Sequence, residues 1–315
     1  MTDSFRPKTD HFRATNYREL CRRIAEKYGL DEARVIVRLV LGERFGLSMA
    51  DILCDKVTEL SADDRTELEK IMLRLENGEP VQYVLGFAEF CGRRFSVGPE
   101  VLIPRPETEE LCRWMSSGVQ EFRSSGVQNE GDFTILDIGT GSGCIAITLA
   151  AELPDSQVSA WDISEKALAT ARKNADSIGV NVDFEQIDIL NDAARKTPLS
   201  NGRGVGGEAF DIIVSNPPYV CQTEKSSMKP HVLEHEPHVA LFVPDDDPLL
   251  FYRAISDFAF HALKPDGWLY FEVNPLYIND LKTMLSERNF DEIEEKCDQF
   301  GKKRMIRAKK SRKLT

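Results

Sequence analysis

The sequence predicts an α/β fold with a doubly wound, mostly parallel sheet, preceded by a small all-helical domain. Helical patterns fill residues 15–77, and from residue 133 onward strands alternate with helices. Such alternation is typical of βαβ units, in which crossover helices join parallel strands. The predicted domains are an N-terminal helical domain (1–82), a hairpin and linker (83–108), and an α/β domain (109–315).

The helical domain is predicted from apolar spacing and from residues that begin or end helices. Leu20 and Ile24 lie about one turn apart in the first helix. Ser61, followed by Asp64, is close to a capping box at the start of a later helix, and Gly78 is a usual end for that helix. No catalytic motif occurs in this part of the sequence.

The segment between the two domains predicts a hairpin and then a break. AEFCGRRFSV alternates in polarity and turns at Cys91 and Gly92. Pro106 interrupts the chain before a helix. The motif SSGVQ then occurs twice, at 116–120 and 124–128, within a stretch rich in glycine and serine. We interpret this stretch as a linker or loop.

Seven strands are predicted in the α/β domain. Helices are predicted between them, for example at 143–153 and 164–179. In parallel sheets of this kind, ligands bind at the carboxyl ends of the strands. The strands are expected at 133–138, 157–163, 182–188, 210–216, 267–273, 290–298 and 303–310.

Charge and cysteine content limit the function classes. The net charge is −12 and the isoelectric point is near 5.1, which argues against a dedicated nucleic-acid binder. No apolar run approaches the roughly 20 residues of a membrane-spanning helix, and the N-terminus has no apolar signal-peptide core. Seven cysteines without a CxxC pair indicate reduced thiols in a cytoplasmic protein.

The C-terminal segment 301–315 is rich in lysine and arginine and has no acidic residue. Contact with RNA or with an acidic surface is one interpretation of this charge. The favoured interpretation is a solvated and partly frayed terminus.

A glycine-rich turn follows the first predicted strand of the α/β domain, in ILDIGTGSGC. Gly139, Gly141 and Gly143 allow a tight turn and a close backbone approach to a ligand. The dinucleotide-binding pattern G-x-G-x-x-G would place its third glycine at Cys144 instead. Asp162 ends the next strand, where a carboxylate can accept hydrogen bonds from both hydroxyls of a ribose. These details favour S-adenosylmethionine; a turn needed only for helix packing is the alternative.

Asp137 lies directly before the turn, a further detail that favours S-adenosylmethionine. Two residues at the end of the third strand extend the predicted donor site. Asp188 is expected to meet the adenine amino group, with Ile189 beside the ring, and a cap for the next segment is the alternative role of Asp188. The predicted donor-binding residues are Gly139, Thr140, Gly141, Ser142, Gly143, Asp162, Asp188, Ile189 and Asn216.

The segment SNPPY ends the fourth strand abruptly, since neither proline can donate a backbone hydrogen bond. An amide nitrogen is a weak nucleophile, and fixed acceptors for both its N–H groups would aim its lone pair at an electrophilic methyl group. Asn216 offers a side-chain carbonyl and Pro217 a backbone carbonyl. Pro218 fixes the backbone, and Tyr219 packs against the planar group. These four residues are predicted to bind the substrate, with Asn216, Pro217 and Tyr219 catalytic; an ordinary turn is the alternative.

Six motifs carry a family resemblance: PVQYVLG, LIPRPETE, LDIGTGSG, SNPPY, EPHVAL and FGKKRMI. Together they cover nearly the whole chain and resemble the protein-glutamine N5-methyltransferases that modify the GGQ glutamine of class I peptide-chain release factors. The combination of LIPRPETE with Asn-Pro-Pro-Tyr is the specific part, because Asn-Pro-Pro-Tyr alone indicates only an amino-methyltransferase.

The resemblance implies the fold of a class I S-adenosylmethionine-dependent methyltransferase, with a Rossmann-like, seven-stranded, mostly parallel sheet. It implies donor binding by 139–143 and Asp162, and a substrate glutamine held by Asn216 and Pro217. Where some relatives place a tryptophan against adenine, this chain has Ile189.

The resemblance also bears on two loops. HVLEHEPHVAL contains His231, His235 and His238, but its acids and proline give no regular ligand geometry, so no metal is predicted. We expect this segment to close over the substrate pocket. The segment 199–210 is a lengthened loop with no assigned role.

The leading hypothesis is N5-methylation of a release-factor glutamine. The helical domain would recognise the partner, and the acidic body would attract a basic substrate loop. Alternatives are methylation of a glutamine in a large-subunit ribosomal protein, methylation of an adenine or guanine amino group in nucleic acid, and a non-catalytic donor-binding regulator. The leading hypothesis requires neither a membrane nor a direct nucleic-acid substrate.

Overall fold

The computed structural model describes residues 16–124, 133–191 and 210–311. The chain forms two compact units, one that ends at Leu85 and one that begins at Gly86. Each unit has its own apolar core.

The first unit is helical, as predicted. Ser61 Oγ accepts a hydrogen bond from Asp64 N (3.1 Å), which confirms the predicted N-cap. Leu20 and Ile24 lie in the core of this unit, at most 1% exposed. The helices are α1 (Tyr17–Tyr28), α2 (Leu30–Phe45), α3 (Met49–Leu53), α4 (Ala62–Glu76) and α5 (Val81–Leu85), with a 3-10 turn at Lys56–Glu59.

The second unit begins with the predicted hairpin, β1 (Phe87–Phe90) and β2 (Arg93–Ser96). Cys91 and Gly92 both have positive φ (47° and 71°), which is the two-residue turn that matches the twist of a hairpin. Helix α6 (Pro106–Ser124) follows, with Pro106 in its first turn.

The predicted loop over the SSGVQ motif is wrong for its first copy. Residues 116–120 belong to α6. Met115 and Val119 lie on the buried side of this helix and pack in the same core as Leu111. Tertiary packing therefore outweighs the weak helix propensity of glycine and serine. The second copy, apart from Ser124, lies outside the described residues, as does most of the lengthened loop at 199–210.

The main sheet contains all seven predicted strands. The strands are β3 (Phe133–Ile138), β4 (Ser156–Asp162), β5 (Asp183–Gln186), β6 (Phe210–Ser215), β9 (Leu263–Glu272), β10 (Phe290–Cys297) and β11 (Lys303–Lys310), and a separate short pair is formed by β7 (Val220–Cys221) and β8 (Phe242–Val243). The order in the main sheet is β10-β11-β9-β6-β3-β4-β5. The strands from β9 to β5 are parallel to one another, while β11 runs antiparallel to both its neighbours.

Helices cover both faces of this sheet, which explains why its central strands are apolar throughout. On β3, Ile135 packs in the core that contains Leu111 and Ile147, whereas Leu136 packs in the core on the other face. The two predicted helices at 143–153 and 164–179 are confirmed. The helices are α7 (Cys144–Glu152), α8 (Glu165–Ile178), α9 (Pro230–His235), α10 (Leu250–Ala262) and α11 (Ile278–Glu287).

The solvated and partly frayed terminus favoured for the basic C-terminal segment does not extend to residues 303–310, for which a strand was also predicted. These residues form β11, which lies between β9 and β10. Arg307 forms an ion pair with Glu294 on β10 (2.8 Å), and its guanidinium lies 4.5 Å from the centre of the Trp268 ring. Neighbouring acids and aromatic rings thus balance the positive charge of this strand.

Within the part of the chain that the structure describes, no helix combines the length and the apolar character that crossing a membrane requires.

Candidate active site

The glycine-rich turn and Asp162 leave adjacent strands at the same level. Ile138, the last residue of β3, pairs with Trp161 of β4. Beyond this pair, the amides of Gly139 and Thr140 both donate to Trp161 O (2.8 and 3.0 Å). Asp162 Oδ2 then accepts a hydrogen bond from Gly141 N (2.8 Å), so the carboxylate holds the turn directly.

The glycines of this turn serve two purposes. All three have positive φ, between 57° and 82°. A Cβ on Gly143 would lie 2.6 Å from Ile147 Cδ1, so this glycine permits helix packing. A Cβ on Gly139 or Gly141 would meet no protein atom within 4 Å. Packing therefore explains only the third glycine, and the first two leave the backbone open to a ligand.

Asp137 is a fully buried carboxyl group beneath the turn. Its Oδ2 accepts from Thr140 Oγ1 (2.6 Å) and from Ala146 N (3.3 Å). Burial raises the pKa of Asp137 to about 7, and the nearby charge of Asp162 acts in the same direction. Its Oδ1 and the hydroxyl of Ser142 are buried and have no hydrogen-bond partner among the described residues.

The two other predicted donor residues lie just beyond β5. Asp188 Oδ1 accepts from Leu190 N (2.9 Å), so this side chain does cap its own turn, as the alternative interpretation held. Ile189 is 7% exposed and packs in the core with Trp161.

The residues of the turn fit a ligand that has a ribose and an ammonium group. The Asp162 carboxylate can accept from hydroxyls, and its burial raises its pKa while the amides of Ser164 and Gly141 act against that shift. Asp137 Oδ1 and Ser142 Oγ are buried oxygens able to accept from an ammonium group. S-Adenosylmethionine has both features.

The Asn-Pro-Pro-Tyr segment follows β6, which neighbours β3 on its other side. Ser215 pairs with Ile138, and its hydroxyl donates to Ile138 O (2.6 Å). Asn216 therefore leaves its strand beside Gly139. This register brings the two predicted halves of the site together at the carboxyl edge of the sheet.

Three side chains from distant parts of the sequence organise this segment. Asn216 Nδ2 donates to Thr108 Oγ1 (3.2 Å), and Thr108 Oγ1 donates to Glu272 Oε2 (2.6 Å). The Tyr219 hydroxyl donates to the other oxygen, Glu272 Oε1 (3.0 Å). Asn274 Nδ2 donates to Tyr219 O (3.1 Å) and fixes the end of the segment.

Glu272 is the buried centre of this network. It is 1% exposed, and burial raises its pKa, while its bonds to Thr108 and Tyr219 act in the opposite direction. Burial also raises the pKa of Tyr219, so this phenol remains a donor.

A second buried carboxylate ties the LIPRPETE segment to EPHVAL. Glu236 Oε1 accepts from Arg105 Nη2 (2.6 Å), and its Oε2 accepts from Ile103 N (3.3 Å). Its side chain is 1% exposed, so loss of Arg105 would leave a buried charge without a partner.

The segment expected to close over the substrate is mostly structured. It contains α9, and His238 contacts Leu233 O through Nε2 (2.7 Å). Within the described ranges, no group of three or more His, Cys, Asp or Glu side chains is arranged to hold a metal ion.

Our sequence interpretation did not single out Thr108, Glu272, Arg105 or Glu236. Their partners lie up to 164 residues away, and no local pattern predicts such a contact. One usable signal was Glu272 itself, because a carboxylate at the end of the apolar run WLYFE needs buried partners.

Two family models match the sequence. The model described as "Methyltransferase domain" matches residues 129–302, and the model described as "PrmC N-terminal domain" matches residues 17–86.

Curated relatives match over most of the chain. A protein from Bacteroides thetaiotaomicron named "Release factor glutamine methyltransferase" is 44% identical over 281 residues, which cover 89% of this chain and 94% of the relative. A protein of the same name from Flavobacterium psychrophilum is 40% identical over 93% of this chain and 97% of its own length.

A solved structure supports the fold. The hMettl16 catalytic domain, solved in complex with an RNA hairpin, superposes with a TM-score of 0.50 and 15% identity. The match covers 81% of this chain and 84% of that domain. At this identity the similarity concerns the fold alone.

Proposed function

We propose that this chain, which belongs to the release factor glutamine methyltransferase family, methylates the side-chain amide nitrogen of the GGQ glutamine in a class I peptide-chain release factor. Its methyl donor is S-adenosylmethionine. The observation that carries the proposal is the register of β3 with β6, which places the glycine turn beside Asn-Pro-Pro-Tyr.

Donor binding is assigned to the turn and its neighbours. The backbone of 139–143 would approach the donor, the Asp162 carboxylate would accept from its ribose, and the buried oxygens of Asp137 and Ser142 would accept from its ammonium group. Asp188 and Ile189 stay assigned to the adenine end. When bound, the donor supplies an electrophilic methyl group on a sulfonium.

Asn216 and Pro217 would orient the substrate glutamine. Asn216 Oδ1 and the main-chain oxygen of Pro217 accept no hydrogen bond within the described residues, so both can accept from the two N–H groups of an amide. Accepting both protons directs the amide lone pair and stabilises the positive charge that develops on the nitrogen. Pro218 restricts the backbone that presents the Pro217 carbonyl.

Tyr219 would pack against the planar amide of the substrate. Two hydrogen bonds fix Tyr219: its hydroxyl donates to Glu272, and its main-chain oxygen accepts from Asn274. No general base is needed before transfer, since the nitrogen becomes acidic once it carries the methyl group and can release its proton to water.

The charge of the chain fits a protein substrate better than a nucleic acid. A net charge of −12 repels phosphate backbones and favours a basic loop. We therefore propose that release factors, and not nucleic acids, are its direct substrates. We place the reaction in the cytoplasm, where release factors act.

The test is mass spectrometry of three candidate substrates, each incubated with the enzyme and S-adenosylmethionine: a release factor, a glutamine-containing large-subunit ribosomal protein, and an adenine-containing duplex. We expect the mass of one methyl group to appear on the GGQ glutamine of the release factor. A release factor with its GGQ glutamine replaced by asparagine is the matched control and should gain no mass.

Methylation of the ribosomal protein alone would keep the chemistry and overturn the proposed partner. Methylation of the duplex alone would overturn the substrate class. No methylation of any substrate by a folded, donor-binding enzyme would overturn the proposed function itself.

A further inference from the structure

We propose that Thr108 and Glu272 are positioning residues that fix the side-chain amide of Asn216 with its oxygen toward the substrate. The inference rests on the proposed function, since it concerns how the site recognises an amide. It adds two residues, from α6 and β9, to the four contributed by the Asn-Pro-Pro-Tyr segment.

The problem is that the oxygen and nitrogen of an asparagine side chain are nearly the same size. Rotation by a half-turn exchanges them with little change in packing. With Oδ1 toward the substrate, Asn216 can accept from an amide N–H. With Nδ2 there, two donors would face each other, and the substrate amide would be rejected.

The geometry resolves this choice through the single hydrogen of the Thr108 hydroxyl. That hydrogen is donated to Glu272 Oε2 across 2.6 Å. Thr108 Oγ1 therefore has only lone pairs left for Asn216, which lies 3.2 Å away. Asn216 must present Nδ2 to Thr108 and, as a consequence, Oδ1 to the opposite side.

Glu272 fixes the direction of the hydrogen bonds that the Thr108 and Tyr219 hydroxyls make. A carboxylate can only accept, and both hydroxyls that contact it, those of Thr108 and Tyr219, donate to it. Thr108 and Glu272 are 2% and 1% exposed, so little water competes for these bonds. Burial raises the pKa of Glu272, and the charge of Glu107 acts in the same direction, whereas the bonds to Thr108 and Tyr219 and the charge of Arg304 favour the ionised form, which can only accept.

The position of Thr108 is itself constrained by the backbone. Thr108 N donates to Arg105 O (3.1 Å) in the first turn of α6. The guanidinium of Arg105 pairs with the buried Glu236. The start of the helix, and with it the hydroxyl, is thereby anchored to a second part of the site.

The test compares Thr108→Val with Thr108→Ser. Valine keeps the shape of threonine but lacks the hydroxyl, while serine retains the hydroxyl and loses only a methyl group. We expect Thr108→Val to lower kcat/KM for the release factor by about 10- to 100-fold. Thr108→Ser should stay within about threefold of the wild type. Affinity for S-adenosylhomocysteine, measured by calorimetry, should be unchanged in both variants.

A second readout separates orientation from general damage. The competitor is a release factor whose GGQ glutamine is replaced by glutamate. In the wild type, Asn216 Oδ1 and the main-chain oxygen of Pro217 face this carboxylate, and all of these groups are acceptors, so the competitor is repelled. In Thr108→Val, Asn216 can turn Nδ2 toward it, so we expect the inhibition constant of the competitor to fall relative to the KM of the normal substrate.

Three results would overturn the inference while leaving the proposed function in place: wild-type activity of Thr108→Val, equal impairment of Thr108→Ser, or unchanged discrimination between glutamine and glutamate in Thr108→Val. If Thr108→Val does not fold, the same discrimination is measured in Glu272→Gln, whose amide can donate to Thr108. Unchanged discrimination there would count against the inference in the same way. A wild-type enzyme that does not methylate the release factor would instead overturn the proposed function.

Discussion

The two sides of the site are built in different ways. On the proposed donor side, 139–143 and Asp162, the surface proposed to meet the ligand is largely backbone, and the carboxylate that holds the turn is 21 residues away from Gly141. On the acceptor side, the four residues of 216–219 depend on side chains of Thr108 and Glu272, whose mutual hydrogen bond spans 164 residues.

The two sides should therefore be sensitive to different kinds of substitution. A backbone surface tolerates side-chain changes around it, provided that the glycines keep their positive φ. The hydrogen-bonded side chains of Asn216, Thr108 and Glu272 depend on one another. Removing one hydrogen-bonding group leaves its buried partners unsatisfied. Substitutions should therefore separate donor binding from methyl transfer.

The largest effect is expected from Asn216→Ala. Loss of an acceptor that acts on the developing charge should lower kcat by about 100- to 1,000-fold. Affinity for S-adenosylhomocysteine should change by less than about threefold if the donor side is independent. Mass spectrometry of the GGQ peptide and calorimetry provide the two measurements. Equal loss of transfer and of donor affinity would show that the two sides are coupled.

A smaller effect on the donor side is expected from Asp162→Asn. Both carboxylate oxygens already accept backbone hydrogen bonds, from Gly141 N and Ser164 N. An amide group cannot accept at both positions, so donor affinity should fall about 10-fold. Asp188→Asn is the comparison variant: one Asp188 oxygen caps its own turn, so only the other is left for the proposed adenine contact, and this variant should cost less than about threefold in donor affinity.

An equal loss in both aspartate variants would show that Asp188 contacts the donor as strongly as Asp162 does. An unchanged affinity in Asp162→Asn would remove Asp162 from the donor site. Calorimetric titration with S-adenosylhomocysteine distinguishes these outcomes.

The smallest effect is a pH dependence of stability at Asp137. Its pKa of about 7 in the folded chain lies above the usual value of 3.8. The folded state therefore binds the proton more tightly than the unfolded state, and stability from this group is present below pH 3.8 and lost as pH rises through about 7. Asp137→Asn removes the titration and can keep the oxygen that accepts from Thr140.

Melting temperatures measured between pH 4 and pH 8 test this prediction. The variant should gain on the wild type as the pH rises and level off above about pH 7, by roughly a few degrees in total. A difference that does not vary with pH would mean that Asp137 titrates normally in the folded chain.

Much of the architecture was predictable from local sequence. All seven strands of the main sheet were expected, since each is an apolar or alternating run bounded by turn residues. The hairpin turn at Cys91 and Gly92 was expected from its composition. The helix over 116–124 was not, because its glycine and serines have weak helix propensity and only packing of its apolar side stabilises it.

The candidate site was predictable only where it is built from contiguous motifs. The glycine turn and Asn-Pro-Pro-Tyr are contiguous motifs at the ends of predicted strands, so residue type and spacing were enough to single out both and to suggest their chemistry. That Thr108 donates to Glu272 and accepts from Asn216 became visible only in the folded chain. A hydrogen bond between side chains depends on where separate elements pack, and sequence distance carries no information about that packing.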